Sequence, residues 1–332
     1  MIRQPRNFDT TKEGPHAKPL IIGLVAPSGA GKTYSALRLA TGMQRVVGGK
    51  VAVIDTESGR ALHYKSMFPF DHIPLVPPHG PLDYRDAIAY AVGKDYKIIV
   101  VDSATHEHDG EGGVMDQSEE FLDRKCGDDD KRREKLFFLS LKEPKRQRNK
   151  LNRYITGLGG KVIVILCYRA KESLDMKRKD QFGQPREKGY QPISTSPLQF
   201  EMTAQFLLLP GSDGVPTFKS DRFEERSMIK MPAQFRGWFQ DGIQLDEAIG
   251  ERLARWSIDL DAASPATSPA EADTSAPTPD SIRKIILKRQ GEKGIPNEHM
   301  NSLVQDIAPG KSFKVLEMSE LSKLLDAVEK FS

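Results

Sequence analysis

Short apolar runs alternate with amphipathic segments along the first three quarters of the chain. From Leu20 to about Trp256, runs rich in β-branched residues are separated by stretches with apolar residues at helical spacing. This alternation is typical of strands buried in a parallel sheet between crossover helices. The clearest predicted strands are Leu20–Val25, Val51–Ile54, Ile98–Val101, Val162–Leu166 and Phe206–Leu209, and the clearest predicted helices are Tyr34–Met43 and Tyr84–Val92. The pattern therefore predicts an α/β fold with a mainly parallel twisted sheet between helices.

A polar segment and a short helical region follow this α/β region. Asp261 to Pro279 contains only Ala, Ser, Thr, Pro, Asp and Glu, and such a segment buries too little apolar surface to offset the entropy of ordering it. Beyond it, apolar residues recur at helical spacing in three short segments. We expect a flexible N-terminal segment at residues 1–19, a core at 20–258, a disordered linker at 259–280 and a small C-terminal helical domain at 281–332.

Composition limits the class of protein. The chain has 332 residues, of which 38% are hydrophobic and 29% charged, values that exclude a collagen-like or wholly disordered chain. The 49 basic and 46 acidic residues leave a formal charge of +3, so any contact with nucleic acid depends on local clusters. Two cysteines cannot form a disulfide framework, and no apolar run is long enough to span a membrane. We expect a cytoplasmic protein with free thiols and no membrane partner.

A phosphate-binding motif follows the first predicted strand. Residues 26–33 read Ala-Pro-Ser-Gly-Ala-Gly-Lys-Thr, which fits the Walker A pattern with Ala in place of its first Gly. The glycines let backbone N–H groups curl around phosphates, Lys32 reaches the β- and γ-phosphate oxygens, and the Thr33 hydroxyl can ligate Mg²⁺. The expected nucleotide-binding residues are Pro27, Ser28, Gly29, Ala30, Gly31, Lys32 and Thr33.

Two acidic residues at strand ends complete the expected site. Ile98–Val101 is followed by Asp102, a Walker B pattern in which the carboxylate holds the metal. The strand Val51–Ile54 is followed by Asp55-Thr56-Glu57, and Glu57 is the candidate general base, with Lys32 as its catalytic partner. Acidic residues also end strands as simple turn or cap residues. The preceding phosphate loop favours the metal-binding interpretation for Asp102, while for Glu57 a base and a solvated turn carboxylate both stay open on spacing alone.

Three motifs taken in order resemble the core of RecA-like ATPases. The order is APSGAGKT, then VIDTE, then IIVVDS. In that family the Glu after the second strand is the catalytic carboxylate, and a Tyr seven positions later stacks on adenine; here Glu57 is followed by Tyr64. The resemblance covers Leu20 to about Trp256. It implies a RecA-like P-loop NTPase core that hydrolyses ATP with Mg²⁺ and binds adenine against Tyr64.

More narrowly, the chain is similar to compact RecA-like ATPases of phages and prophages, which act with or as single-strand annealing recombinases. Residues 106–113, 166–171 and 200–203 carry this similarity. It implies single-stranded DNA as ligand, a first DNA-binding loop at 106–113 and a second beyond Cys167. It also implies an annealing protein, a nuclease or a single-strand-binding protein as partner, in the host cytoplasm. Cys167 stands where RecA has a phosphate-sensing Gln, so the coupling of ATP to DNA stays open, as does homo-oligomer formation.

Basic residues cluster in two segments that suit phosphate binding. The first contains Lys142, Lys145, Arg146, Arg148, Lys150 and Arg153. The second supplies the candidate DNA-binding residues Arg169, Lys171, Lys177, Arg178, Lys179, Arg186 and Lys188. Phe182 and Tyr190 interleave with the second segment and would offer rings for base stacking. Charge runs are also common on solvated surfaces, and for the first segment both interpretations stay open.

Two other functions fit the same motifs. A P-loop kinase would transfer phosphate to a small molecule and would need a lid with arginines, for which Arg178 and Arg186 are candidates, but the Asp-x-Glu strand end has no task in a kinase. An ATP-gated adaptor would load a recombination partner onto DNA with Glu57 idle. The motifs favour an ATPase that binds single-stranded DNA and acts in phage-type homologous recombination or strand annealing.

Overall fold

A computed structural model provides the structure of the protein. It describes residues 17–179, 185–193, 198–260 and 282–330, without 221, 223–224, 226–228, 240–241, 284–285, 288, 291–292 and 294. Side chains at 175–179, 185–186, 314, 318 and 329–330 are not described. The chain forms two compact units, Met1–Pro265 and Ala266–Ser332. The expected N-terminal segment lies largely, and the expected linker almost wholly, outside the described residues.

The first unit is built on a mainly parallel sheet. Its strands are β1 (Ile21–Ala26), β2 (Lys50–Asp55), β3 (Asp71–Pro74), β4 (Tyr96–Asp102), β5 (Ile163–Lys179), β6 (Pro185–Pro192) and β7 (Ala204–Leu207). The strand order is β3-β2-β4-β5-β1-β7, and every pair along this path is parallel. β6 pairs with β5 in the antiparallel sense, beside the main path. The predicted α/β fold is confirmed.

Helices cover both faces of this sheet. They are α1 (Lys32–Val47), α2 (Pro81–Gly93), α3 (His106–Asp109), α4 (Val114–Cys126), α5 (Asp130–Ser140), α6 (Lys142–Gly157), α7 (Leu198–Glu201) and α8 (Glu247–Ser257). Along β1, Ile22 and Leu24 belong to a core that also contains residues of α1 and α8, whereas Ile21 and Val25 belong to a core shared with α2 and α6. Strands buried on both faces have continuous apolar runs in their sequence, and for this reason the sequence pattern predicts them.

Some elements escape the sequence pattern. β3 is short, and its four residues are only partly buried or exposed, so it lacks the apolar run of a central strand. β5 continues well beyond the predicted Val162–Leu166 strand, through a polar stretch that pairs with β6. That extension is stabilised by backbone pairing rather than by apolar burial.

The second unit contains a small apolar core of its own. It includes α9 (Asn297–Ile307) and α10 (Met318–Lys330). Its buried residues are Ile282, Ile286, Ile295, Met300, Val304, Ala308, Leu316, Leu321, Leu324 and Val328. In the whole described part of the chain, no helix combines the length and apolar character needed to cross a membrane.

Two glycines allow α1 and α8 to touch through their backbones. A Cβ atom on Gly42 would overlap the backbone carbonyl of Glu247, and one on Gly250 would overlap the carbonyl of Leu39. Arg38 fixes the same crossing through Nε and Nη2, which donate to the Glu247 carboxylate at 3.0 and 2.7 Å. The helix that follows the first strand is thus held by a backbone contact that leaves no room for a side chain.

We predict that Gly42→Ala destabilises the first unit by about 1–3 kcal/mol, because the added methyl group must push α1 away from α8. Gly157→Ala is the matched control, since a Cβ there meets no atom within 4 Å, and it should leave stability unchanged or raise it slightly. Urea unfolding followed by circular dichroism measures both. Equal stability of the two variants would show that the crossing adapts without cost.

Candidate nucleotide site

The loop between β1 and α1 forms an anion-binding turn. Gly29 and Gly31 have φ angles of 82° and 79°, the left-handed region that glycine adopts at low cost. α1 begins at Lys32, so the unpaired N–H groups of its first turn and the positive end of its dipole lie at this loop. Ala30 is buried behind the loop. The local structure therefore suits a phosphate group.

Asp102, the last residue of β4, contacts the first two residues of α1. Thr33 Oγ1 donates to Asp102 Oδ2 at 2.5 Å, and Lys32 Nζ lies 3.5 Å from Asp102 Oδ1. Burial raises the pKa of the Asp102 carboxyl group above its usual value, although Lys32 and the Thr33 hydrogen bond act in the opposite direction. A cation beside this carboxylate would offset the cost of its burial.

The same residues fit a magnesium ion. Asp102 Oδ1 is buried and accepts no hydrogen bond from the described part of the chain, and the hydroxyl of Thr33 lies beside the same carboxylate. Mg²⁺ at nucleotide sites takes one or two protein oxygens together with phosphates and water. Across the described ranges, no group of three or more His, Cys, Asp or Glu side chains is placed to hold a metal.

Glu57 reaches this pocket from the end of β2. The Asp55 carboxylate accepts hydrogen bonds from the N–H groups of Glu57 at 2.6 Å and Ala61 at 3.0 Å, which fixes the turn after the strand. The N–H of Thr56 donates to the Asp102 carbonyl oxygen at 2.9 Å. These bonds tie the turn that carries Glu57 to the end of β4. The two strand-end acids predicted from the sequence therefore lie at one edge of the sheet.

Two arginines hold the Glu57 carboxylate. Arg169 Nε and Nη2 lie 2.9 and 2.7 Å from Glu57 Oε1, and Arg60 Nη1 lies 2.9 Å from Oε2. The Glu57 side chain is only 6% exposed, against 35% for Arg169 and 60% for Arg60. Burial raises the pKa of Glu57, but Lys32, Arg169 and Arg60 together outweigh it and leave the pKa below its usual value. Glu57 is therefore ionised at neutral pH, as a general base must be.

An open cavity connects these groups. It is lined by Pro27, Ser28, Gly29, Gly31, Lys32, Thr33, Glu57, Arg60, Tyr64 and Arg169. Tyr64, predicted to stack on adenine, is partly buried, with its ring centroid 5.8 Å from that of Tyr34. The structure thus brings the phosphate loop, Glu57 and Tyr64 to one cavity, with Asp102 beneath Lys32 and Thr33.

Arg60 and Arg169 were not predicted for this cavity. The sequence placed Arg169 among the DNA-binding residues, whereas the structure places it beside the phosphate loop, because it pairs in register with Ala26 across β1 and β5. Its N–H donates to Thr105 Oγ1 at 2.7 Å. A contact between Arg169 and DNA stays a prediction. Arg60 carried no motif signal beyond its position three residues after Glu57.

Beyond Arg169, β5 and β6 form a hairpin. Ala170 pairs with Pro192 and Glu172 pairs with Tyr190. The buried Glu225 braces the hairpin, since its carboxylate accepts from the Tyr190 N–H at 2.8 Å. Tyr190 packs against the core that contains α2 and α6, so its ring is not freely available for stacking.

The predicted DNA-binding residues of this hairpin are only partly described. Lys171 is exposed and Lys188 is half-buried. The backbone of Lys177, Arg178, Lys179 and Arg186 lies in the two strands, but their side chains lie outside the described ones. Phe182 also lies outside the described residues. Their contact with DNA stays a prediction.

The segment at 106–113, expected to form a first DNA-binding loop, includes the short helix α3. Its Glu107 is buried and forms a two-pronged ion pair with Arg148 of α6, with Nε 2.8 Å from Oε1 and Nη2 2.7 Å from Oε2. Arg148 is therefore not part of the exposed charge of the first basic segment, in which the sequence had placed it. The pair instead fastens α6 to the residues that follow β4.

A comparison with known families identifies the core. A family model described as AAA domain matches residues 18–202, more than half of the chain. The chain belongs to this family of P-loop AAA-type ATPases. The match to the AAA domain includes the phosphate loop, Glu57, Asp102, Arg169 and the hairpin of β5 and β6. Nucleotide binding and hydrolysis are the activities that an AAA domain supports. A search of curated proteins finds no match.

We predict that Arg169→Gln shifts the acidic limb of the ATPase pH profile to higher pH. Removal of the guanidinium takes away two of the contributions that keep the pKa of Glu57 low, so the carboxylate takes up its proton at a higher pH. Arg60→Gln is the control and should give a smaller shift, because Arg60 is more exposed and water screens its charge. ATPase rates measured across the acidic pH range test both variants. If the acidic limb of Arg169→Gln is not shifted, the ion pair with Arg169 does not set the pKa that limits the rate.

Proposed function

We propose that this protein is a Mg²⁺-dependent ATPase of the RecA-like type that binds single-stranded DNA and acts in phage-type recombination or strand annealing. The observation that carries the proposal is the path of β5. This strand passes the nucleotide cavity at Arg169 and continues without a break into the hairpin with β6. One strand can therefore respond to both ligands, which is what coupling between two sites requires.

The chemistry of the cavity supports hydrolysis. Lys32 and the N–H groups at the start of α1 would bind the β- and γ-phosphate oxygens, and Tyr64 would contact the base. Thr33 and Asp102 would hold Mg²⁺, which when bound lowers the charge on the transferred phosphoryl group. Glu57, ionised and fixed by its turn, would orient the attacking water and accept its proton.

The basic hairpin supports binding to a nucleic-acid strand. Its sequence holds the candidate residues Lys171, Lys177, Arg178, Lys179, Arg186 and Lys188, and a ribbon rich in cations suits a phosphate backbone. We assign contact with an annealing protein, a nuclease or a single-strand-binding protein to the C-terminal helical unit. Formation of a homo-oligomer stays a prediction.

We predict that single-stranded DNA stimulates ATP hydrolysis at low salt, where phosphate contacts are strongest. The triple variant Lys177→Ala, Arg178→Ala and Lys179→Ala should turn over ATP at a rate that no longer responds to DNA. Lys32→Ala should be inactive under both conditions. Steady-state phosphate release measures all three, and a rate of the unmodified protein that is indifferent to DNA would refute the coupled mechanism.

We also predict that Glu57→Gln binds ATP but hydrolyses it about 10²- to 10⁴-fold more slowly, because the amide cannot accept the proton of water. Fluorescent-nucleotide binding and single-turnover hydrolysis separate the two effects. If Glu57→Gln keeps the full rate, the ATP-gated adaptor becomes the better interpretation. Transfer of the γ-phosphate to an acceptor other than water would favour a kinase instead.

A further inference from the structure

The exposed face of α6 carries a stripe of basic side chains. Pro144, Arg148, Leu151 and Ile155 form the buried face of the helix. The exposed cations are Lys142, Lys145, Arg146, Lys150 and Arg153. Each of them lies three or four residues from another member of the set, which places them on one face, over about 16 Å of helix length. We call this set the α6 stripe.

The cations of the α6 stripe are poorly neutralised. Arg146 pairs with Glu143 at 3.0 Å, but the other four cations have no carboxylate partner within the described ranges. Some helix arginines elsewhere in the same unit are matched: Arg133 pairs with Glu119 and Asp123, and Arg45 pairs with Glu251. Like charges one turn apart destabilise a helix, so an anionic partner along the stripe would relieve this repulsion.

The place of α6 in the fold puts the stripe near the nucleotide edge of the sheet. Arg148, in the first half of the helix, is bound to Glu107. Glu107 lies five residues after Asp102, the last residue of β4. The first half of α6 therefore lies at the same edge as the phosphate loop and the start of the hairpin. The buried ion pair also fixes which side of α6 faces outward.

An exposed aromatic ring stands at the beginning of the stripe. Phe138, in the last turn of α5, is 81% exposed, and Leu141 alone separates α5 from α6. Aromatic rings beside phosphate-binding cations suit a single strand, whose unpaired bases can stack.

We infer that the α6 stripe, with Phe138 at its end, is a second binding surface for single-stranded nucleic acid, with the cations on the phosphates and the ring on a base. This inference rests on the proposed function for the nature of the partner, but it concerns a different element from the hairpin. The α6 stripe consists of the residues of the first basic segment other than Arg148.

The salt dependence of binding tests the cations of the stripe. The variant Lys145→Gln, Lys150→Gln and Arg153→Gln should lower the slope of log affinity against log salt by about 2 for a labelled oligothymidylate, since each lost phosphate contact removes about 0.7. The matched control is Lys50→Gln, Lys94→Gln and Lys161→Gln, three exposed lysines that precede or begin strands at the opposite edge of the sheet. Anisotropy without nucleotide, at about 50 to 200 mM salt, measures the slopes, and thermal unfolding checks both folds.

A second arm tests the ring and the strandedness of the partner. Phe138→Ala should weaken binding of the oligothymidylate without changing its salt slope, because stacking releases no counterions. The affinity for a duplex of equal length should be the same in Phe138→Ala as in the unmodified protein. Equal loss for both, or no loss for either, would overturn the single-strand assignment.

The outcomes separate this inference from the proposed function. If the salt slope of the stripe variant is unchanged and DNA still stimulates ATP hydrolysis, the α6 stripe is not a nucleic-acid surface, but the proposed function stands. If the salt slope of the stripe variant is lowered but DNA does not stimulate ATP hydrolysis, the α6 stripe binds nucleic acid and the coupling of ATP hydrolysis to DNA is refuted. No binding of the unmodified protein to the oligothymidylate overturns both.

Discussion

Parallel pairing of β4, β5 and β1 is the constraint on which the site depends. Because the three strands run in the same direction, the last residues of β4 and β1 lie at one edge beside the middle of β5, with Asp102 opposite Cys167 and Ala26 opposite Arg169. A slip of one residue would turn every side chain of a strand to the other face. Strands buried on both sides cannot tolerate that change, so the apolar core itself holds the polar groups of the cavity in position.

The charges of the cavity are arranged for an anion that is not part of the chain. Lys32, Arg60 and Arg169 lie with Glu57 and Asp102 in one small region, and each carboxylate contacts at least one cation. Arg169 uses two of its five N–H donors on Glu57. A guanidinium can therefore keep its carboxylate partner and still meet a phosphate oxygen. Such an arrangement fixes the Glu57 carboxylate without removing positive charge from the cavity.

Local motifs made part of this architecture predictable. The phosphate loop and the apolar runs of β1, β2 and β4 are contiguous in the sequence, and the strand-end acids follow them directly. The order of strands in the sheet has no such local signature, so the position of β5 between β4 and β1 was not predictable. For that reason the sequence predicts Arg169 only as a DNA-binding residue, whereas the structure also places it beside Ala26.

The burial of Arg148 differs from the placement of Arg169, because the helical spacing of the sequence does indicate it. Arg148 lies three residues before Leu151 and seven before Ile155, which places all three on one helical face. Charge alone grouped it with the neighbouring cations, while periodicity separates it from them. A buried arginine needs a buried carboxylate, and here it is Glu107.

The family match and the folding unit do not end at the same place. The match ends at residue 202, but the core that covers α1 also contains Phe206, Phe235, Ile249 and Leu253, and the tightest backbone contact of α1 is with α8. A fragment cut at the limit of the match would expose the apolar side of the helix that carries Lys32 and Thr33. The residues of the candidate site are thus recognisable in the first two thirds of the chain, while part of the apolar cover of α1 is supplied by residues beyond it.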